Sequence, residues 1–89
     1  MNTYKDDRYF RSNSLYTSAF LLSKDQILVD VDKVTDPRKA QFIFLDSPER
    51  ESLLQNFNFG KENSPEVQVD ARKLIQAIKT LKDKLYQEF

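Results

Sequence analysis

The chain has 89 residues, with 14 basic and 14 acidic side chains and a formal net charge of zero at pH 7. This length favours one domain with a thin core, and the neutral charge argues against a whole surface built for nucleic acid, because such domains are usually basic. Cysteine and histidine are absent, which excludes disulfides, Cys/His zinc sites and the usual general base near neutral pH.

The first residues are polar and charged, and they predict an N-terminal arm at residues 1–11 ahead of a single domain at residues 12–89. Tyr9 and Phe10 would anchor the end of this arm. The arm does not have the pattern of a signal peptide, and no apolar run approaches the ~20 residues needed to cross a bilayer. We therefore expect a cytoplasmic protein that does not enter a membrane.

The first part of the domain predicts a helix followed by a hairpin. Residues 12–14 are N-cap types placed before an apolar run, which predicts a helix over about residues 14–23. Apolar and polar residues alternate over 27–32, which predicts a half-buried strand with its odd-numbered residues facing inward. The aromatic and branched run at 40–45 predicts a second strand, and the short connection favours an antiparallel pair.

The second part predicts a helix, a short strand and a long helix. Residues 46–49 combine cap residues with a first-turn proline, and the helix that they begin would end near Gly60. Gly60 is the only glycine in the chain, and a left-handed backbone at the helix end would explain it. Alternation at 66–70 predicts a third strand, and an apolar stripe predicts a helix from Asp70 to about Tyr86.

These elements predict an α+β fold with the order α-β-β-α-β-α. The sheet would be three-stranded and antiparallel, packed by helices. Its third strand would pair beside the first, which gives the order 2-1-3 when the predicted strands are counted along the chain.

Four stretches of the chain share a pattern with a known family: YFRSNSLY at 9–16, AFLL at 19–22, FIFLD at 42–46, and VDAR at 69–72 with the leucines that follow it. On these residues the chain resembles an uncharacterised bacterial family of short single-domain proteins, known only as a domain of unknown function. The resemblance implies one compact domain and no particular activity. The chain departs from it at Lys24-Asp25-Gln26, where the resemblance leads us to expect a glycine-containing turn.

The residues offer little for catalysis. A lone glycine cannot build a phosphate-cradling loop, and the serines have no histidine partner. Asp30 and Asp32 on one strand face, with Asp46 at the end of the next strand, could hold Mg²⁺ or Ca²⁺. The simpler alternative is that Asp30 and Asp32 face solvent and Asp46 caps a helix. We expect no enzyme, no cofactor and no bound metal, with these three aspartates left open.

The aromatic residues suggest a binding role. The chain has 4 tyrosines and 7 phenylalanines, and a thin core leaves several of them near the surface, where exposed apolar groups mark interaction sites. We predict a small non-enzymatic protein-interaction module: an adaptor, an inhibitor or an accessory subunit of a larger complex. Its contacts would be Tyr9, Phe10, Phe57 and Phe59, unless these only close the margins of the core. The partner would be an unknown protein, and the chain a monomer or a weak homodimer through a sheet edge.

The alternative prediction is nucleic-acid binding by the last helix. Arg72, Lys79 and Lys82 can share its outer face, and Arg38 and Lys39 in the hairpin turn would extend the patch. Such contacts to phosphate would weaken steeply with salt. An ordinary solvated helix would also carry basic residues near its C-terminus.

Overall fold

The structure, a computed structural model, describes residues 7–36 and 38–87. In chain order its elements are β1 (Tyr9–Ser12), α1 (Leu15–Ser23), β2 (Ile27–Asp32), β3 (Gln41–Leu45), α2 (Arg50–Phe59), a short 3-10 helix (Pro65–Val67) and α3 (Ala71–Tyr86). Three helices and one antiparallel three-stranded sheet confirm the predicted α+β class.

The sheet has the order β1-β3-β2, with both neighbours antiparallel to β3. The predicted hairpin of β2 and β3 is confirmed, but the predicted order 2-1-3 is wrong because it placed β2 in the centre. Phe42, Ile43 and Phe44 are all buried, so β3 is apolar on both faces. A strand of this kind is typical of the centre of a sheet.

The remaining strand of the sheet is formed by residues that precede α1, and not by residues 66–70. Residues 9–11, which the sequence pattern assigned to the arm, form most of β1, in register from Tyr9 opposite Leu45 to Ser12 opposite Phe42. The predicted arm also includes residues 1–6, which lie outside the described residues.

The predicted strand at 66–70 is wrong, because its backbone makes local turns. Pro65 begins a 3-10 helix, and its ring favours that turn because it fixes φ and removes an N–H. The N–H of Val67 donates to the Ser64 carbonyl (3.1 Å), and that of Gln68 to the Pro65 carbonyl (3.2 Å). These donors are therefore used within the turn.

A β-bulge in β2 changes which side chains face the core. The register against β3 shifts between Leu28 and Asp30, so Val29 is the extra residue. Leu28 and Val31 pack against the core cluster, whereas Ile27 is 57% exposed and Val29 37%. The predicted inner face is therefore wrong for two of its three residues, because one inserted residue reverses the alternation.

The core lies between one face of the sheet and the helices. Its buried cluster takes two residues each from α1, β3 and α3: Ala19, Leu21, Phe42, Phe44, Ala77 and Leu81. Partly buried residues of β1, β2 and α2 pack around this cluster. All these sheet residues lie on one side, which leaves the other side of the sheet out of the core.

The N-terminal caps of α1 and α3 are those that the sequence predicts, but α2 differs from the prediction at both ends. The Ser14 side chain accepts from Thr17 N (3.2 Å), and the Asp70 side chain accepts from Arg72 N (2.8 Å). By contrast, α2 has no side-chain cap. At its other end Gly60 has φ −67°, so the predicted left-handed backbone is wrong.

Glycine is required at position 60 because a side chain would not fit there. A Cβ at this position would lie 2.4 Å from the backbone oxygen of Asn56, to which the Gly60 N–H also donates at 2.8 Å. The chain therefore passes so close to the end of α2 that a side chain has no room.

The turn after α1 places a non-glycine residue in the left-handed region. Asp25 has φ 65°, and the N–H of Gln26 donates to the Leu21 carbonyl (3.0 Å) while that of Asp25 donates to the Leu22 carbonyl (3.1 Å). These two bonds form a Schellman motif, which usually has glycine at this position. Asp25 thus stands where a glycine was expected, and its left-handed backbone strains the fold.

Asp25→Gly should raise the free energy of unfolding by about 0.5–1 kcal/mol, because it removes the left-handed strain at an L residue. The variant also loses the exposed ion pair between Asp25 and Lys73 Nζ (2.6 Å), which is worth little. Urea denaturation measures the change. Asp25→Asn is the matched control, since it removes the charge and keeps a residue that tolerates this conformation. A destabilised Asp25→Gly would contradict the assignment.

Candidate interaction surface

The side of the sheet opposite the core cluster forms a surface that we call the outer face. Side chains alternate across a sheet, and Phe10, Phe42 and Phe44 point into the core. Tyr9 and Leu45 therefore point to the outer face, and Ile27 joins them because it pairs with Leu45 in the register. One row across the three strands is thus apolar.

This apolar end of the outer face is open to solvent. Ile27 is 57% exposed and Leu45 41%, and Tyr9 beside them is half-buried. None of these three residues belongs to the core cluster or to the side chains packed against it. Large apolar side chains grouped on one exposed sheet face are typical of a contact surface.

The other end of the outer face is polar and ordered by Arg11. Its Nη2 donates to Asp32 Oδ2 (2.5 Å) and its Nε to Gln41 Oε1 (2.7 Å). Arg11 is on β1 and Asp32 on β2, so the arginine side chain crosses β3. Ile43 beside that path is only 1% exposed, and this end of the face is thus closed.

Asp32 is the acceptor for several donors at once. The Thr35 N–H (3.1 Å) and hydroxyl (2.7 Å) and the Val34 N–H (3.0 Å) donate to its carboxylate, in addition to Arg11. These bonds, those from Thr35 first, hold the pKa of Asp32 well below its usual range against the opposing effect of burial. Asp32 is therefore ionised at neutral pH and fixes the start of the β2–β3 connection.

The four aromatic residues predicted to contact a partner are not brought together. Tyr9 lies on the outer face. Phe10 packs against the core, with the Arg50 guanidinium 4.2 Å from its ring centre. Phe57 stacks on Phe20 with ring centres 4.5 Å apart, and Phe59 beyond it is 77% exposed.

The five predicted basic residues are spread along the length of α3 and do not form one compact patch. Arg72, Lys79 and Lys82 are exposed on α3. Arg38 and Lys39 line a groove of about 560 Å³ beside the start of α1 and Leu85. Leu85 is near the end of α3 and Arg72 near its start, roughly 20 Å away at 1.5 Å per residue, so Arg38 and Lys39 do not extend a patch around Arg72.

The three aspartates that were candidate metal ligands are also separated. Asp32 pairs with Gln41 at one end of β3, whereas Asp46 follows Leu45 at the other, roughly 17 Å along the strand. Asp46 accepts from Arg50 Nε (2.9 Å), and this bond lowers the pKa of Asp46. Within residues 7–36 and 38–87, no three acidic side chains come close enough to hold a metal ion.

Sequence reasoning missed the exposed residues Ile27 and Leu45 as contacts. A usable signal was the uninterrupted apolar run Ile27-Leu28-Val29. Neighbouring residues of a strand face opposite sides, so such a run makes both faces apolar. A strand in which apolar and polar residues strictly alternate would not contain such a run.

A three-stranded sheet with its core on one side and an open apolar row on the other defines a small α+β domain whose candidate site is a surface. The chain belongs to the family Domain of unknown function (DUF5659), whose family model matches residues 7–87. This confirms the predicted resemblance to a domain of unknown function. No curated protein and no solved structure matches the chain. Across the described residues, no helix is both long and apolar enough to cross a membrane.

Proposed function

We propose that this domain is a small, non-enzymatic protein-interaction module and that its outer face contacts the partner protein. The observation that supports this most is the exposure of Ile27 and Leu45 beside Tyr9 on one sheet face. Covering these side chains would remove apolar area from water, which favours association. Of the four aromatic contacts predicted from sequence, the proposal keeps Tyr9 as part of this surface.

The structure of β2 favours contact through the face over strand addition at its edge. The bulge at Val29 interrupts the strand, and the Asp30 carboxylate accepts from the Val31 N–H at 2.8 Å. Bulges and charged side chains of this kind hinder pairing with another strand. A partner therefore meets the side chains of the outer face more readily than the backbone of β2.

Leu45→Asp should abolish capture of the partner when the tagged domain is used as bait in cells that express it. The substitution places a charge in the apolar row, and Leu45 is exposed enough (41%) for the fold to tolerate it. The matched control is Phe59→Asp, a similar change at a side chain that is 77% exposed at the end of α2. Equal capture by wild type and Leu45→Asp would contradict the proposal, and loss only with Phe59→Asp would move the surface to α2.

Nucleic-acid binding is the second candidate. It is supported by the exposure of Arg72, Lys79 and Lys82 on α3, where Arg72 makes a long, exposed ion pair of 3.9 Å with Asp70. A gel-shift assay with single- and double-stranded probes at low and moderate salt tests it. A shift at low salt that Lys79→Glu/Lys82→Glu removes would favour this candidate, and no shift at low salt would exclude it.

A further inference from the structure

We propose that residues 46–70 form a hinged cover that opens from α1 while the sheet, α1 and α3 stay folded. Opening uncovers an apolar site centred on Phe20. The movement goes beyond the proposed function because it does not involve the outer face. Both the movement and the site follow from how burial is distributed along the chain and from where the cover is tied to its neighbours.

The hinged cover contains no buried residue. Every residue between Phe44 and Ala77, which are both in the core cluster, is exposed or half-buried. The cover includes α2 and the 3-10 helix, whereas the six residues of the core cluster come from α1, β3 and α3. Segments that contribute few buried apolar contacts open at a lower free energy than the core. We therefore expect the cover to open without global unfolding.

The cover hides the side chain of Phe20 on α1. Phe57 of α2 stacks on its ring, with the ring centres 4.5 Å apart and the ring planes at 21° to each other. Phe20 is 2% exposed but does not belong to the core cluster. Its neighbours Ala19 and Leu21 do belong to that cluster, and successive residues of a helix point about 100° apart. Movement of α2 therefore exposes a large aromatic side chain on a different side of α1.

The contacts that hold α2 on α1 are limited. Leu53 and Leu54 are half-buried against the core cluster, and Phe57 keeps 37% of its surface exposed. The N-terminus of α2 has no side-chain cap. An exposed hydrogen bond from Lys24 Nζ to the Gln68 carbonyl (2.8 Å) adds little, because water competes for both groups. With 10 residues α2 is also too short to stay helical by itself, so its backbone amides become accessible when the cover opens.

The two ends of the cover stay fixed and act as hinges. The N–H of Asp46 donates to the Arg8 carbonyl (2.8 Å), which ties the first residue of the cover to the chain that leads into β1. Beside it, Ser47 Oγ donates to Gln26 Oε1 (2.5 Å). The last residue, Asp70, is the N-cap of α3. The part that moves therefore lies between these ends and contains α2 and the 3-10 helix.

Native-state amide hydrogen exchange, followed by NMR at low urea concentrations, tests the opening. Relative to their unstructured rates, the amides of Leu54 and Phe57 should exchange at least about 100-fold faster than that of Phe44, with one shared urea dependence. The amide of Asp46 should stay protected with the sheet because it lies at a hinge. Equal protection of α2 and β3 would overturn the hinged cover. So would α2 amides that exchange one by one with no urea dependence, because that pattern shows fraying of a helix and not movement of a unit.

A core variant separates this opening from global unfolding. Ile43→Val, at a residue that is 1% exposed, should destabilise the sheet equally in the closed and the open form. It should therefore speed the exchange of the Phe44 amide by about 2–10-fold and leave that of Leu54 unchanged. An equal increase at both amides would show that α2 opens only in global unfolding, which would overturn the hinged cover.

Removing the stacked ring tests the site on Phe20. Phe57→Ala should speed exchange in α2 at least about tenfold, because the ring contacts that hold the cover closed are lost. Phe59→Ala, at the exposed end of α2, is the matched control and should change the exchange less than about threefold. In a Phe20→Ala background the effect of Phe57→Ala should be smaller by about 2–10-fold, since the interaction of the two rings is then already absent. Independent effects of the two substitutions would show that α2 is not seated on Phe20 and would overturn the site.

Discussion

Phe44→Ala should lower the free energy of unfolding by about 4 kcal/mol. Phe44 has no exposed surface and belongs to the core cluster. Truncating a buried phenylalanine removes its burial free energy and leaves a cavity, for a combined cost of about 3–5 kcal/mol. An 89-residue domain is stable by only about 5–13 kcal/mol, so the variant should lose roughly a third or more of its stability.

Urea denaturation followed by far-ultraviolet circular dichroism measures this loss. Phe59→Ala is the matched control, because the same truncation at a 77% exposed residue should change the free energy by less than about 0.5 kcal/mol. If the two variants were equally stable, Phe44 would not lie in the core and the central position of β3 would be wrong.

Asp32→Asn should lower the free energy of unfolding at pH 7 by about 2 kcal/mol. The amide replaces a charged acceptor with a neutral one for Thr35 and Val34, and hydrogen bonds to charged groups are about twice as strong as neutral ones. It also leaves the Arg11 guanidinium, whose side chain is only 21% exposed, without its carboxylate partner. An unpaired, partly buried charge adds to the cost.

The pH dependence gives this prediction a second measurement. The folded-state pKa of Asp32 is lowered, so its ionised form stabilises the fold above the ordinary value of 3.8 and is lost as the pH falls toward the folded pKa. The difference in stability between wild type and Asp32→Asn should be constant from pH 7 to about pH 5 and shrink below about pH 4. The exposed Glu62→Gln is the control. A difference that does not shrink in acid would show that the charge of Asp32 is not what stabilises the connection.

The three helices were predictable because their signals are local. Ser14 and Asp70 cap α1 and α3 through bonds to residues two or three positions ahead, and such contacts do not depend on the rest of the fold. The apolar stripe of α3 likewise placed Ala77 and Leu81 on a buried face. The reason for Gly60 was not predictable, because it is a close approach to Asn56 and not a backbone angle.

The sheet was harder to predict because pairing depends on distant residues. Tyr9–Ser12 is only four residues long and has no alternation strong enough to mark a strand. This segment forms a strand because β3, which has buried side chains on both faces, is the central strand and pairs on both of its edges. The alternation at 66–70 was the stronger pattern, and Pro65 turned that segment into a 3-10 helix.

Local patterns along the chain were enough to predict the α+β class, the hairpin, the capped helices α1 and α3 and the resemblance to the family to which the chain belongs. Which side chains of the sheet stay open to solvent depends instead on how strands that are distant in the chain pair with each other. The bulge at Val29 turns Leu28 and Val31 inward and leaves Ile27 exposed, and the position of the extra residue is set by the pairing of β2 with β3 and not by β2 alone. The exposure of Ile27 beside Leu45 therefore follows from the pairing of β2 with β3, whereas the alternation had predicted Ile27 and Val29 on the inner face.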